Sequence, residues 1–202
     1  MPPLNQQPPR PASLDGVCAP HPLRGREQEI SLCMDTLRAQ FEFPRSHGMI
    51  EEMLRHLWDA FDGFDNLRDK RILDLGCGSR FSMESRFNDA TFDRGIFHPW
   101  LCRAATLFGA QVTGVDIRSN RGEDFISLQL DLRVKDTLKS LPNSSFDGIH
   151  LSHLLSSPDL VTVQKASREE RAGLAAHLAQ ECQRLLAPEG KIIHFDSNLD
   201  DW

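Results

Sequence analysis

No two cysteines in this chain stand at metal-binding spacing. Cys18, Cys33, Cys77, Cys102 and Cys182 are odd in number and widely scattered. Neither a zinc knuckle nor a disulfide framework fits that pattern, and scattered reduced thiols in a cytoplasmic protein are the plain expectation. No apolar run reaches the roughly 20 residues that cross a bilayer, so no membrane partner is expected. The opening stretch, Met1 to Gly16, lacks an apolar core behind a basic start and does not resemble a secretory signal. Positive charge is in deficit, with 23 Lys and Arg against 29 Asp and Glu and a net charge of −6. Such a chain has no overall field to attract a polyanion, which disfavours nucleic acid as the main partner.

At 202 residues the chain is near the size of one α/β domain. More than half of its twelve prolines fall before residue 28, among polar neighbours. Residues 1–27 therefore read as a disordered arm that cannot bury enough surface to fold. Residues 28–66 read as two helices packing on the domain. In Glu27–Phe43, Ile30, Cys33, Met34 and Leu37 share a helical face. Near Gly48–Phe61 the same holds for Ile50, Met53, Leu54, Leu57 and Trp58. These helices either cap a sheet or cover a site.

From residue 67 to 202 the pattern alternates. Strands are expected at Arg71–Leu75, Gln111–Asp116, Phe125–Leu130, Phe146–Leu151 and Lys191–Phe195. Helices are expected at Pro99–Phe108 and Ser167–Leu186, with a further short one within 132–141. Strands alternating with helices imply an α/β, doubly wound, mostly parallel sheet with helices on both faces.

The first strand runs into "ILDLGCGS", where Asp74 precedes Gly76 and Gly78. A dinucleotide fingerprint wants a third glycine where Phe81 stands, and a P-loop wants a Lys-Ser/Thr pair that is absent. The stretch closely resembles the first motif of class I S-adenosylmethionine-dependent methyltransferases, acidic-x-Gly-x-Gly-x-Gly. "QVTGVDI", "FISLQLDL", "SSFDGIHLSHLL" and "ECQRLLAPEGKIIHF" resemble that family's following landmarks, in order, across about Lys70 to Phe195.

The resemblance implies a Rossmann-like fold, S-adenosylmethionine as cofactor, and a set of roles. Asp74 would support the turn and the amino-acid end of the cofactor. Gly76, Cys77 and Gly78 would present backbone to it. Asp116 would accept the ribose hydroxyls, Ile117 would pack on adenine, and Asp131 would take the adenine amino group beside the Leu132 backbone. Ser152 and His153 would lie near the methyl and the acceptor, with His153 as candidate general base. Taken alone, Asp116 and Asp131 could equally cap turns, and Cys77 is a small filler. His150 and His153 lack a third ligand, and strand alternation places their rings on opposite faces, so no metal is expected.

The chain departs from the family pattern in four places. Arg80 replaces the third motif glycine. Residues of about 80–98 look inserted between turn and helix, and read as a lid over the site. Only nine residues, Ile117–Phe125, lead from Asp116 into the third strand, too few for a crossover helix. The sequence stops just past the fifth strand, whose exposed edge could pair with a second copy to form a homodimer. A small-molecule acceptor fits best. With no tyrosine in the chain, the Asn/Asp-Pro-Pro-Tyr motif of amino-methylating DNA enzymes is absent. The rival is an inactive methyltransferase-like binding or scaffold protein.

Overall fold

Two helices precede any strand, and both are made by apolar spacing. A computed structural model describes residues 25–80, 94–157, 160–161 and 164–196. α1 (Arg26–Gln40) buries Ile30, Cys33, Met34 and Leu37, and α2 (Gly48–Phe61) buries Ile50, Leu54, Leu57 and Phe61. The first set is an i, i+3, i+4, i+7 stripe and the second an i, i+4, i+7, i+11 stripe, each facing a core. Glu29 ties the pair by accepting from the Trp58 indole N–H at 2.9 Å. The chain leaves α2 through Asp62 and Gly63, both at positive φ.

The remaining elements are β1 (Arg71–Leu75), α3 (Trp100–Leu107), β2 (Gln111–Asp116), β3 (Ile126–Gln129), β4 (Phe146–Leu151), α4 (Arg168–Leu185) and β5 (Leu186–Phe195). The five strands form one parallel sheet in the order β3-β2-β1-β4-β5. This is the Rossmann-like, doubly wound α/β fold. Alternation along β1 splits the molecule into two cores. Ile72 and Val112 join α1, α2 and α3 on one face. Leu73, Leu75, Val115 and Ile149 join Leu178, Cys182 and Leu185 of α4 on the other. Gly148 lets α2 sit directly on β4, since a β-carbon there would stand 2.8 Å from the Phe61 ring. α4 opens with a complete capping box between Ser167 and Glu170.

β5 differs from its expected form in two ways. It begins at Leu186, ahead of Pro188 and Gly190, and it is bulged. Gly148 pairs with Lys191 and Ile149 with Ile192, but His150 pairs with His194. The extra residue resets the side-chain alternation. Ile193 is thereby buried over Gly148 while Ile192 is exposed, and His194 arrives on the face where His150 lies.

The short helix expected within 132–141 does not form. That stretch is a run of i→i+3 turns, interrupted where Asp136 takes φ 68, a left-handed conformation that no α-helix accommodates. Between Asp116 and β3 there is no helix, as the short spacing requires. A buried ion pair takes its place: Arg103 of α3 grips Glu123 with two hydrogen bonds, at 2.6 and 3.0 Å. The arm expected at 1–27 lies outside the described residues as far as residue 24, and its last two residues, Arg26 and Glu27, instead form the first turn of α1.

Candidate functional site

β1 ends at Leu75, and its neighbours β2 and β4 connect to opposite sides, which opens a crevice beyond their carboxyl ends. The chain enters it through Gly76 at φ 73 and Gly78 at φ 83. The N–H groups of Gly76 and Cys77 both donate to the Val115 carbonyl, at 2.8 and 3.1 Å. A β-carbon on Gly78 would stand 2.2 Å from the Phe97 carbonyl oxygen. Glycine is obligatory there on both conformational and steric grounds.

The same Phe97 carbonyl accepts from Ser79 N–H at 2.8 Å. The inserted segment therefore leaves and returns at one point. The lid expected at 80–98 falls mainly on residues 81–93, outside the described residues, but Phe97 and His98 at its end do wall the cavity. Arg80 turns away from the crevice and donates to the Arg121 carbonyl at 3.1 Å.

Nine of the ten residues expected at the site line one cavity: Gly76, Cys77, Gly78, Asp116, Ile117, Asp131, Leu132, Ser152 and His153. Asp74 is the exception. It is buried beneath the turn, where one carboxylate oxygen accepts from His150 Nδ1 at 2.8 Å and the other from Cys102 Sγ at 3.4 Å. Cys77 and Cys102 fit together because Gly114 leaves room for both sulfurs. Burial pushes the Cys102 thiol well above its ordinary range.

At the β2–β3 end, the Asp116 carboxylate accepts from Gly78 N–H at 3.0 Å and from Arg118 N–H at 2.9 Å, one on each oxygen. Ile117 stands beside it, 39% exposed. Asp131 is clasped by Arg133, whose backbone N–H and guanidinium both donate to it. Those bonds hold its carboxyl below the usual range.

At the other end, His153 follows β4 in a left-handed conformation, φ 53. Strand alternation stops at Leu151, so the expectation of opposed faces for His150 and His153 does not reach this residue. His153 sits within electrostatic reach of His150, Asp196 and Glu52, and burial holds its imidazole below the ordinary range. Among the described residues no group of His, Cys, Asp or Glu is arranged to hold a metal ion, and no helix is long and apolar enough to cross a membrane.

The sequence reading missed several wall residues, among them Met49, Met53, His98, Arg118 and Arg133. One signal was available: Met49 and Met53 stand one turn apart on α2, so the helix that caps the sheet also closes the site. The cavity encloses about 150 Å³, below the roughly 300–1,000 Å³ usual for small-molecule sites. A nucleoside-sized ligand would extend into the mouth or displace Arg133. Asp116, Ile117 and Leu132 fit an adenosyl ligand by acceptor and apolar character, and Gly76 and Gly78 by the close backbone approach that glycine allows; Asp131 fits only when Arg133 swings aside.

No family model and no curated protein matches the chain. Solved structures do match. One is the arsenic(III) S-adenosylmethionine methyltransferase of Chlamydomonas reinhardtii, at 23% identity and a TM-score of 0.31, covering 62% of this chain and 38% of that one. The chain thus spans well under half the length of that enzyme.

Proposed function

We propose that the chain is an S-adenosylmethionine-dependent methyltransferase acting on a small-molecule acceptor. One observation carries this reading: a twin-glycine turn, a carboxylate at the end of β2 (Asp116) and an exposed apolar side chain (Ile117) converge on one crevice at the switch point. In this reading Asp116 takes the ribose hydroxyls, Ile117 and Leu132 hold the adenine, and the Gly76–Gly78 backbone faces the amino-acid end. Asp74 acts from below, by fixing His150 and the turn. When bound, the cofactor supplies an activated methyl group, so the chain's own task is binding, orientation and exclusion of water. His153 serves as the base. Its half-buried imidazole, held below the ordinary range by that burial, lies on the wall, where it can take a proton from an acceptor hydroxyl, amine or thiol.

A second reading, an inactive binding protein of the same fold, is favoured by one specific feature, the Arg133 clasp on Asp131. Calorimetric titration with S-adenosylmethionine, beside Asp116→Ala, tests the cofactor site. The expected result is micromolar binding that the variant weakens by about a hundredfold, as loss of two charge-assisted hydrogen bonds implies. No binding by a folded wild-type chain overturns the reading. Release of S-adenosylhomocysteine in the presence of a small-molecule extract then separates enzyme from binder.

A further inference from the structure

Four of the chain's eight histidines meet at one place that the methyl-transfer reading leaves mostly unused. α2 supplies a single helical face, Met49, Glu52, Met53 and His56, at i, i+3, i+4 and i+7. Its two methionines wall the cavity. One turn further, the His56 ring stacks on His194 of β5, centroids 4.3 Å apart and planes 3° from parallel. The β5 bulge is what makes this contact available, because it turns His194 onto the α2 face. There its ring lies 6.1 Å from that of His150. His150 is anchored to Asp74, both side chains almost fully buried. Among the described residues, His150 Nε2 and His56 Nδ1 are buried with no hydrogen-bond partner. His153 couples electrostatically to His56 and His150, and it is also on the cavity wall.

We propose that His56, His150, His194 and His153 form a charge-selecting latch. While neutral, it holds α2 against the sheet and tolerates a cationic ligand; once protonated, it rejects that ligand and loosens the Met49–Met53 wall. The proposal rests on the adenosyl-site reading above. The two ligands of that reading differ by one charge at one atom, the donor being a sulfonium and the product a neutral thioether.

The charges around the cluster support this direction. Burial is the first cause that lowers the affinity of His56, His153 and His194 for protons, and for His194 the neighbouring His56 and His150 add to it. The groups opposing them are Glu52 and Asp59 on α2 and Asp196 after β5, with Asp74 on β1 holding His150. These carboxylates let the cluster take up a first proton, while each further one meets a cation already present. Two neutral imidazoles stack favourably, and two imidazolium rings at that distance repel.

The linkage has a definite sign. These histidines bind protons less readily folded than unfolded. The stability they contribute is complete above pH about 6.5 and is lost as pH falls through and below that value.

The test uses the full chain, with S-adenosylmethionine and S-adenosylhomocysteine titrated at pH 7.5 and pH 5.5. In the wild type the sulfonium compound should weaken by about tenfold more than the thioether between the two values, the effect of roughly one added charge nearby. In a His56→Gln/His194→Gln double variant both should bind as in the wild type at pH 7.5, and the tenfold difference should shrink to about threefold or less. Equal pH dependence for the two compounds, or a double variant that keeps the wild-type difference, overturns the proposal. If neither compound binds at pH 7.5, it is the methyltransferase reading that fails. NMR titration of the ring protons then decides the latch by itself. Coupled titration of His56, His153 and His194 below the ordinary imidazole value supports it, and independent titrations of those three near that value overturn it.

Discussion

The two ends of the cavity are built on opposite principles. At the β2–β3 end the anionic groups are answered: Asp116 by two backbone N–H groups, Asp131 by Arg133. Asp131 is held below the usual carboxylate range, and that end works as a fixed template. At the β4–β5 end four imidazoles meet among Glu52, Asp59 and Asp196, and among the described residues His56 and His150 each keep a buried ring nitrogen without a hydrogen-bond partner. That end can change its charge near neutral pH. A site of this kind would recognise a ligand with one half and respond to conditions with the other.

The largest expected effect is at the turn shared by both ends. Gly78→Ala places a β-carbon against the Phe97 carbonyl at a left-handed position, and should cost roughly 3 kcal/mol or more in urea denaturation. If the variant is as stable as the wild type, the turn is not the hinge of the site.

Next is the buried pair behind the template end. The Arg103 and Glu123 side chains are 5% and 6% exposed, and the guanidinium also stacks on Phe41 and Trp100. Glu123→Gln leaves a buried arginine short of its counter-charge and should cost about 3 kcal/mol. Because this pair contacts His98 and not the four clustered histidines, the difference in pH dependence between the sulfonium and thioether compounds should be unchanged, which a titration of both at two pH values checks.

The smallest effect sharpens the comparison most. The Arg133–Asp131 pair is partly exposed, so Arg133→Gln should move stability by no more than about 1 kcal/mol. By releasing Asp131 it should strengthen S-adenosylmethionine binding by up to about tenfold, an effect worth 1.4 kcal/mol. Weaker binding would mean that Arg133 itself touches the ligand.

Much of the fold was legible because its strands are short, apolar and bounded by turn residues. β1, β2 and β4 begin and end where alternation and glycine place them. β5 was misjudged at its start because Pro188 and Gly190 read as a turn, although an edge strand admits both. The turns at 132–141 were misjudged because Leu132, Val134, Leu138 and Leu141 suggest a helix, and nothing local announces Asp136 at positive φ. At the site, nine wall residues could be named because the glycine turn and the strand-end motifs resemble a known family's landmarks. The clasp of Arg133 and the meeting of His56 with His194 could not. Each depends on where a side chain goes after the backbone is set, and the second also depends on a one-residue bulge that leaves no mark in composition.

The pinned stem at Ser79 and Phe97 has a consequence for how such a molecule changes over generations. Both ends of the segment between them meet at one carbonyl, so the sheet registers only that the loop closes, not its length. Closure entropy grows slowly, by about 0.6 kcal/mol for each doubling. Between the two pinned ends, sequence can therefore be gained, lost or exchanged while Gly78 and Asp116 stay where they are.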